Sequence, residues 1–289
     1  MTGASNPAQD RRLWPANDRV AHASLAGRTE LPITEGTPMQ VAQPVADLLA
    51  APEGQLDRQL LFGNRFTMLE DREGWAFGMA MPSSYVGYLR RENLEPEAEK
   101  THRVRTLGAH VYPASDMKTR PAKLLPFGAM LHIDGRQGHF LDCGHGWVHE
   151  HQLEPMNTIN ADPVAVAEMF LGVPYLWGGD STFGIDCSGL VHIAMRCAGV
   201  LCPRDSDQQA VALGDSLAGD ARLERGDVIF WKGHVGLMQD SEFLIHANGY
   251  HMAVVREPLT QAEARIAASG YGPITGRRRV APGGVRLAG

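Results

Sequence analysis

The chain has 289 residues, 44% of them hydrophobic, with 27 Lys and Arg against 33 Asp and Glu and a formal charge of −6. That length and apolar content suit one large or two to three small domains with a substantial core, and they exclude global disorder. The acidic balance argues against a nucleic-acid partner, which needs a basic face.

The start, "MTGASNPAQDRRLWPANDRV", has no apolar h-region ahead of a small-residue cleavage site, and no later run reaches membrane-spanning length. No membrane partner is expected, and the cytoplasm is the expected location. Residues 1–40 are polar, with scattered Pro and Gly, and read as an irregular arm. Residues 41–96 carry short apolar runs. "LLFGNRFTMLEDREGWAFGMA" alternates as strands do, with a hairpin turn at Arg72-Glu73-Gly74. Residues 100–153 repeat the theme. "LPFGAMLHIDGRQGHFLDCG" answers the first segment, Phe127-Gly128 matching Phe62-Gly63, and "GWVHEHQL" (146–153) answers "GYLRRENL" (87–94). Two copies of an all-β unit of about 55 residues follow, a size at which a small barrel just closes a core.

From 156 to 289 the composition shifts. Asp162 is a candidate N-cap, Pro163 the first helical residue, and Gly172 the stop. A second helix is expected from Cys187 to Cys197 and a third over 207–214. Strands are expected at 227–231, 234–239, 243–247, 252–257 and near "ITGRRRVA". Helices followed by an antiparallel sheet give the α+β class. Arg277-Arg278-Arg279 reads as a charged strand edge.

Within "GGDSTFGIDCSGLV" the thiol of Cys187 stands in the first turn of a helix behind a Gly-rich loop. The helix N-terminus favours thiolate, the reactive form, so Cys187 is the candidate nucleophile and the most readily alkylated of the four cysteines. The Ser188 N–H is available to a developing oxyanion. Gly178, Gly179, Gly184 and Gly189 are expected to let the chain approach a substrate closely. Cys143, Cys197 and Cys202 fit neither a disulfide nor a zinc spacing, and Cys197 and Cys202 read as packing residues. A thiol nucleophile needs a base, normally His. Of 12 histidines, His234 opens the strand "HVGLM" and His246 ends "FLIHA". A three-residue loop Gln239-Asp240-Ser241 pairs 234 directly with 246 and sets both on one face. The alternative is two unrelated strand-end histidines. His132, His139, His145, His149 and His151 follow no zinc spacing, and strand alternation is expected to scatter them over two faces.

"PYLWGGDSTFGIDCSGLV", "GDVIFW", "HVGLM" and "IHA", in that order, resemble the NlpC family of papain-like cysteine peptidases over about residues 160–280. The repeated β unit resembles the bacterial SH3-like barrel. The resemblance implies an α+β chain: an arm (1–40), two SH3-like barrels (41–96, 100–153) and a papain-like peptidase domain (156–289). It implies Cys187 as nucleophile, His234 as general base, His246 as the group that orients its imidazole, and Tyr175 as a helper at the oxyanion. It implies no metal and no cofactor.

Two barrels ahead of such a domain, without an export signal, are similar to the γ-D-glutamyl-L-diamino acid endopeptidases of murein-peptide recycling. In that group the first barrel closes one end of the cleft, and the partner is a murein peptide with a free N-terminal L-Ala, such as L-Ala-γ-D-Glu-diaminopimelate. The implied amine-binding set is Asp186, Ser188, Asp205, Ser206 and Tyr85, with Asp57 as the barrel carboxylate where many relatives carry Glu. Read without the resemblance, Asp57 is a solvated surface charge. Two other functions fit the same features: an exported hydrolase of intact wall with barrels as wall-binding modules, and a catalytically silent peptide-binding protein. The intact Cys187, His234 and His246 set disfavours the last.

Overall fold

Seven strands of the first repeat form one antiparallel sheet, in the order Leu56–Leu61, Val45–Leu49, Tyr85–Arg90, Trp75–Ala80, Arg65–Arg72, Thr37–Val41 and Leu94–Pro96. The computed structural model describes residues 10–160 and 162–280, which belong to two units, Met1–Met156 and Asn157–Gly289. The sheet closes over Met39, Val41, Leu48, Leu60, Phe66, Tyr85 and Leu89. Its Arg72–Trp75 hairpin turns through Glu73 and Gly74, at φ 53° and 80°, the two positive φ values that match the right-handed twist of the strands. The sheet begins at Thr37, ahead of the expected 41. Proline in "TPMQV" counts against a strand when the pattern is read alone, yet Met39 and Val41 are buried there.

The preceding residues are tied to this barrel by charge. Arg19 and Asn17 donate to Glu70 at 2.7 and 2.8 Å, and Arg11 donates to both oxygens of Asp57.

The second repeat builds smaller sheets around Val104, Ala109, Val111, Leu125, Leu131, Val148 and Leu153. The repeat is visible in three dimensions. "GYLRRENL" and "GWVHEHQL" each end in a 3-10 turn, Arg91–Asn93 and Glu150–Gln152, followed by a Leu-Glu-Pro strand. Phe62 sits in the second core, and the Met130 N–H donates to its carbonyl at 2.8 Å. A Cβ at Gly63 would lie 2.1 Å from the Met130 oxygen, so only glycine permits this approach. His139, His149 and His151 are not scattered: their rings lie 5.1–6.3 Å apart by centroid. The pairing of Phe140 with His149 and the turn at Glu150–Gln152 bring them together.

In the second unit, Asp162 caps α1 (Pro163–Met169), accepting the Val164 N–H at 3.0 Å. It is followed by α2 (Cys187–Cys197) and α3 (Ser206–Ala212). The six-stranded antiparallel sheet runs Asp215–Ser216, Gly276–Arg279, Val228–Trp231, His234–Met238, Phe243–Asn248, Ala253–Pro258. The arginine strand is therefore not an edge. The short polar strand Asp215–Ser216 covers it, and Arg279 pairs with Asp227 at 2.7 Å. Helices α1 and α2 pack against His234–Met238. A fourth helix, α4 (Leu259–Ala268), adds to the three that the sequence pattern predicts. Its Leu259, Ala262 and Ile266, spaced for one helical face, pack with Ile229, Trp231, Met238 and Leu244.

Candidate active site

The nucleophile turn is built by its N-cap. Asp186 Oδ1 accepts the Gly189 N–H at 2.7 Å and the Ser188 hydroxyl at 3.2 Å. Its Oδ2 accepts the Gly178 N–H at 2.9 Å and the Arg204 guanidinium at 2.9 Å. Arg204 is 1% exposed and also donates to Asp180 at 2.9 Å, to Ser188 Oγ at 2.8 Å and to the Gly179 carbonyl at 3.1 Å. A buried cation is tolerated only with such complete pairing. Arg204 thus pins the 178–180 loop, the start of α2 and, at 4.0 Å, the carboxylate of Asp205. Nothing in the sequence distinguishes it from the other Lys and Arg residues.

Gly179 and Gly189 are required by this packing. A Cβ on Gly189 would lie 2.5 Å from the Gly179 oxygen, and one on Gly179 would lie 2.5 Å from the Gly184 oxygen. Gly→Ala inside a helix normally gains up to about 1 kcal/mol. Here the clash is with backbone and decides the sign. Gly189→Ala is expected to destabilise by about 1–3 kcal/mol and to lower kcat/KM at least about tenfold as the turn shifts. Thermal melting and a peptide assay check both.

Cys187 opens α2 and is 8% exposed, with the Val235 and Ser188 N–H groups turned toward its sulfur. The expectation of a resting thiolate does not hold. Burial, then the neighbouring Asp186 charge, pushes the thiol up to about 12. A helix terminus is worth about 1 kcal/mol, whereas full burial moves a pKa by up to about 3–5 units. Cys143 and Cys202 are also pushed up by burial, and all four thiols are buried.

His234 and His246 come together. His234 Nε2 lies 2.8 Å from His246 Nδ1. The route differs from the expected one: Leu237 pairs with Ile245, and Gln239 closes on Phe243, so the loop is 240–242 and 234 is not opposite 246. Asp240 accepts the Glu242 and Phe243 N–H groups, both at 2.8 Å, and this sets the turn one residue later. Parity is unchanged, so both rings share a face. Gly236 leaves room for them: a Cβ there would lie 3.1 Å from His246 Cβ. Burial, then the charges of His246 and Arg265, lowers His234 to about 3, and burial lowers His246. Burial thus favours the neutral form of both the thiol and the imidazole. The ring nitrogen of His234 not used by His246 is Nδ1, and the next residue's N–H faces the Cys187 sulfur.

Behind His246 stands Glu257, which no sequence motif marks. Its Oε1 lies 2.7 Å from His246 Nε2, and it pairs with Arg265 of α4. Burial works against its ionisation, yet these hydrogen bonds hold it down to about 2.

Tyr175 bridges to Ile185 and is placed by its N–H bond to the Met252 carbonyl at 3.0 Å. Burial, then the proximity of Cys187 and Asp186, raises its hydroxyl, so it belongs to the same site. Asp205 is the N-cap and Ser206 the first residue of α3, both half-buried. Gln209 of the same helix donates to the Ser188 carbonyl at 2.9 Å, which ties α3 to the nucleophile turn. In the first unit Tyr85 is 2% exposed, inside the barrel core, and Asp57 retains 11% side-chain exposure. Asp57 is not a solvated surface charge: Arg11 holds both its oxygens, and Tyr85 lies close enough to act on the Arg11 charge. Among the described residues, no group of three or more His, Cys, Asp or Glu side chains is arranged to hold a metal ion.

The chain is similar to known proteins in both units. Residues 172–266 match the family model described as NlpC/P60 family, and residues 48–94 match the bacterial dipeptidyl-peptidase Sh3 domain. The probable endopeptidase NlpC of Escherichia coli (strain K12) is 32% identical over 121 residues, which cover 37% of this chain and 74% of that protein. The chain belongs to the NlpC/P60 family of cysteine peptidases. A gamma-D-glutamyl-L-lysine dipeptidyl-peptidase of Bacillus subtilis (strain 168) is 26% identical over 222 residues, 66% of this chain and 72% of that one. A protein of the same name from Bacillus cereus (strain ATCC 10987 / NRS 248) is 36% identical over 107 residues, but the match spans only 31% of its length. The crystal structure of an NlpC/P60 family protein from Bacillus cereus superposes with a TM-score of 0.71 at 21% identity, covering 85% of this chain and all of that one. It shares the fold. The first β repeat is thus an SH3-like domain by its own match, ahead of an NlpC/P60 domain.

Proposed function

We propose that the protein is a cysteine endopeptidase that cleaves the amide between γ-D-glutamate and a diamino acid in murein peptides bearing a free N-terminal L-Ala, acting in the cytoplasm on recycled fragments. The observation that carries this reading is the tandem match, dipeptidyl-peptidase SH3 domain then NlpC/P60 domain, beside a likeness to a dipeptidyl-peptidase over 66% of the chain.

The chemistry follows from the site. Cys187 Sγ attacks the γ-glutamyl carbonyl as its proton passes to His234. Backbone N–H groups at the start of α2, with Tyr175, face the oxyanion. Collapse breaks the C–N bond, and His234 returns its proton to the departing amine. Water, with His234 as base, then attacks the thioester, releasing L-Ala-D-Glu and the free thiol. Asp186, Ser188, Asp205 and Ser206 are the proposed amine-binding residues of this domain. Asp186 already carries four protein donors, so it shares its oxygens with the substrate.

The second reading, hydrolysis of intact wall, draws on the peptidoglycan endopeptidase RipB of Mycobacterium tuberculosis, 36% identical over 109 residues. Incubation with L-Ala-γ-D-Glu-diaminopimelate and, separately, with intact sacculi separates the two. The expected result by mass is L-Ala-D-Glu and free diaminopimelate from the tripeptide and no release from sacculi. Comparable release from sacculi overturns the recycling assignment.

A further inference from the structure

We propose that Glu257 is a positioning residue of the peptidase site: its carboxylate fixes the proton of His246 on Nε2 and so leaves Nδ1 of His234 as a lone pair for the thiol. The inference rests on the peptidase reading and adds to it a residue that touches neither substrate nor reacting atoms.

Donors and acceptors set the direction of the relay. A neutral imidazole has one nitrogen that donates and one that accepts. Two imidazoles in series, His234 Nε2 to His246 Nδ1 at 2.8 Å, must therefore run in one direction or the other. An ionised carboxylate only accepts. With Glu257 Oε1 at 2.7 Å from His246 Nε2, that nitrogen carries the proton. His246 Nδ1 then accepts, His234 Nε2 donates to it, and His234 Nδ1 is left with its lone pair. The reverse chain would press the His246 Nε2 lone pair against a carboxylate and leave the proton of His234 on Nδ1, so that this nitrogen could not accept one from the thiol.

A second neighbour favours the reverse chain. Asn248 Nδ2 lies 3.1 Å from the same His246 Nε2. Its amide cannot turn round, because Asn248 Oδ1 accepts the His251 N–H at 2.9 Å and faces His251 Nδ1 at 3.0 Å. An amide N–H2 facing Nε2 asks that nitrogen to accept. The two neighbours thus pull the relay in opposite directions. The carboxylate is closer and charged, and charge-assisted hydrogen bonds are roughly twice as strong as neutral ones, so Glu257 prevails. Arg265, from the last turn of α4, pairs with Glu257 and holds it in place. Helix α4 therefore supports the relay from behind.

The decisive measurement is the tautomeric state of the two histidines in the resting wild-type protein, read from ring ¹⁵N shifts. The expected result is protonation at Nε2 in both His246 and His234. Protonation at Nδ1 in either overturns the proposal, and this readout depends neither on any variant folding nor on which peptide is the substrate. Kinetics supply the second arm. Glu257→Ala is expected to reverse the chain under the control of Asn248 and to lower kcat on the order of 100-fold, with KM within about threefold, since Glu257 does not touch the substrate. Removing the opposing group in the same background, Glu257→Ala with Asn248→Ala, is expected to restore part of the missing kcat. A purely structural role for Glu257 predicts a further fall in the double variant, and that outcome overturns the proposal. A wild-type protein inactive on every murein peptide would sink the proposed function instead, leaving the tautomers to be read.

Discussion

Replacing Cys187 with alanine is expected to abolish hydrolysis while leaving the fold intact. Every covalent step in the proposed reaction passes through its sulfur, and no other thiol can substitute. Cys143 lies in the other unit's core, Cys197 is at the far end of α2, and Cys202 donates to the Pro203 carbonyl at 3.3 Å. Loss of a nucleophile of this type costs on the order of 10⁶ in kcat, below the reach of an ordinary assay. The structural cost is small by comparison. The caps that hold the turn belong to Asp186 and Arg204, not to the thiol, so the truncation costs about 1 kcal/mol. Circular dichroism and thermal melting establish the fold, and mass analysis of tripeptide products establishes the activity. Retention of most activity in a folded variant would remove the mechanism as written. Because burial favours the neutral thiol, the proposed reaction draws on His234 as a base at the moment of attack. A His234→Ala variant therefore shares the loss rather than leaving a reactive thiolate behind.

The parts of this site that are legible in the sequence are those that local patterns encode. A Gly-rich loop running into an amphipathic helix locates Cys187, and strand-end histidines locate His234 and His246. The doubled "FG" turns locate the β repeat, because Gly63 and Gly128 both take positive φ. What the sequence does not disclose depends on long-range partners. Arg204 is one basic residue among many until three aspartates, from different segments, are seen around it. Glu257 lies at the end of a strand and gains meaning only when pairing of His246 with Val255 brings the two strands side by side. The state of the thiol departs from expectation for a related reason. A helix start can be read from sequence, but the depth of burial that outweighs it cannot. The hairpin register differs because Asp240 captures two N–H groups and moves the turn by one residue, a side-chain choice that alternation does not report.

Acetylating the alanine amine of the tripeptide is expected to lower kcat/KM by roughly two to four decades. The region beside the nucleophile is rich in carboxylates. Asp180, Asp186 and Asp205 surround a single guanidinium, that of Arg204. One cation serving three anions leaves the cluster formally negative and suited to an ammonium group at its open side. Asp205, the half-buried N-cap of α3, is the most exposed of the three carboxylates and the one proposed to meet the amine. A desolvated ammonium group binds well only when carboxylates and hydrogen-bond acceptors replace its water. The acetyl group removes the charge and adds bulk. Removing two charge-assisted hydrogen bonds costs about 3–6 kcal/mol, which sets the expected range. Steady-state kinetics on the free and acetylated tripeptides measure it directly. Asp205→Asn adds an internal check: it should depress turnover of the free peptide strongly and that of the acetylated peptide little, because only the former presents a charge to Asp205. Equal turnover of the two peptides by the wild-type protein would overturn the free-amine assignment and move hydrolysis of intact wall, where that alanine is acylated, to first place.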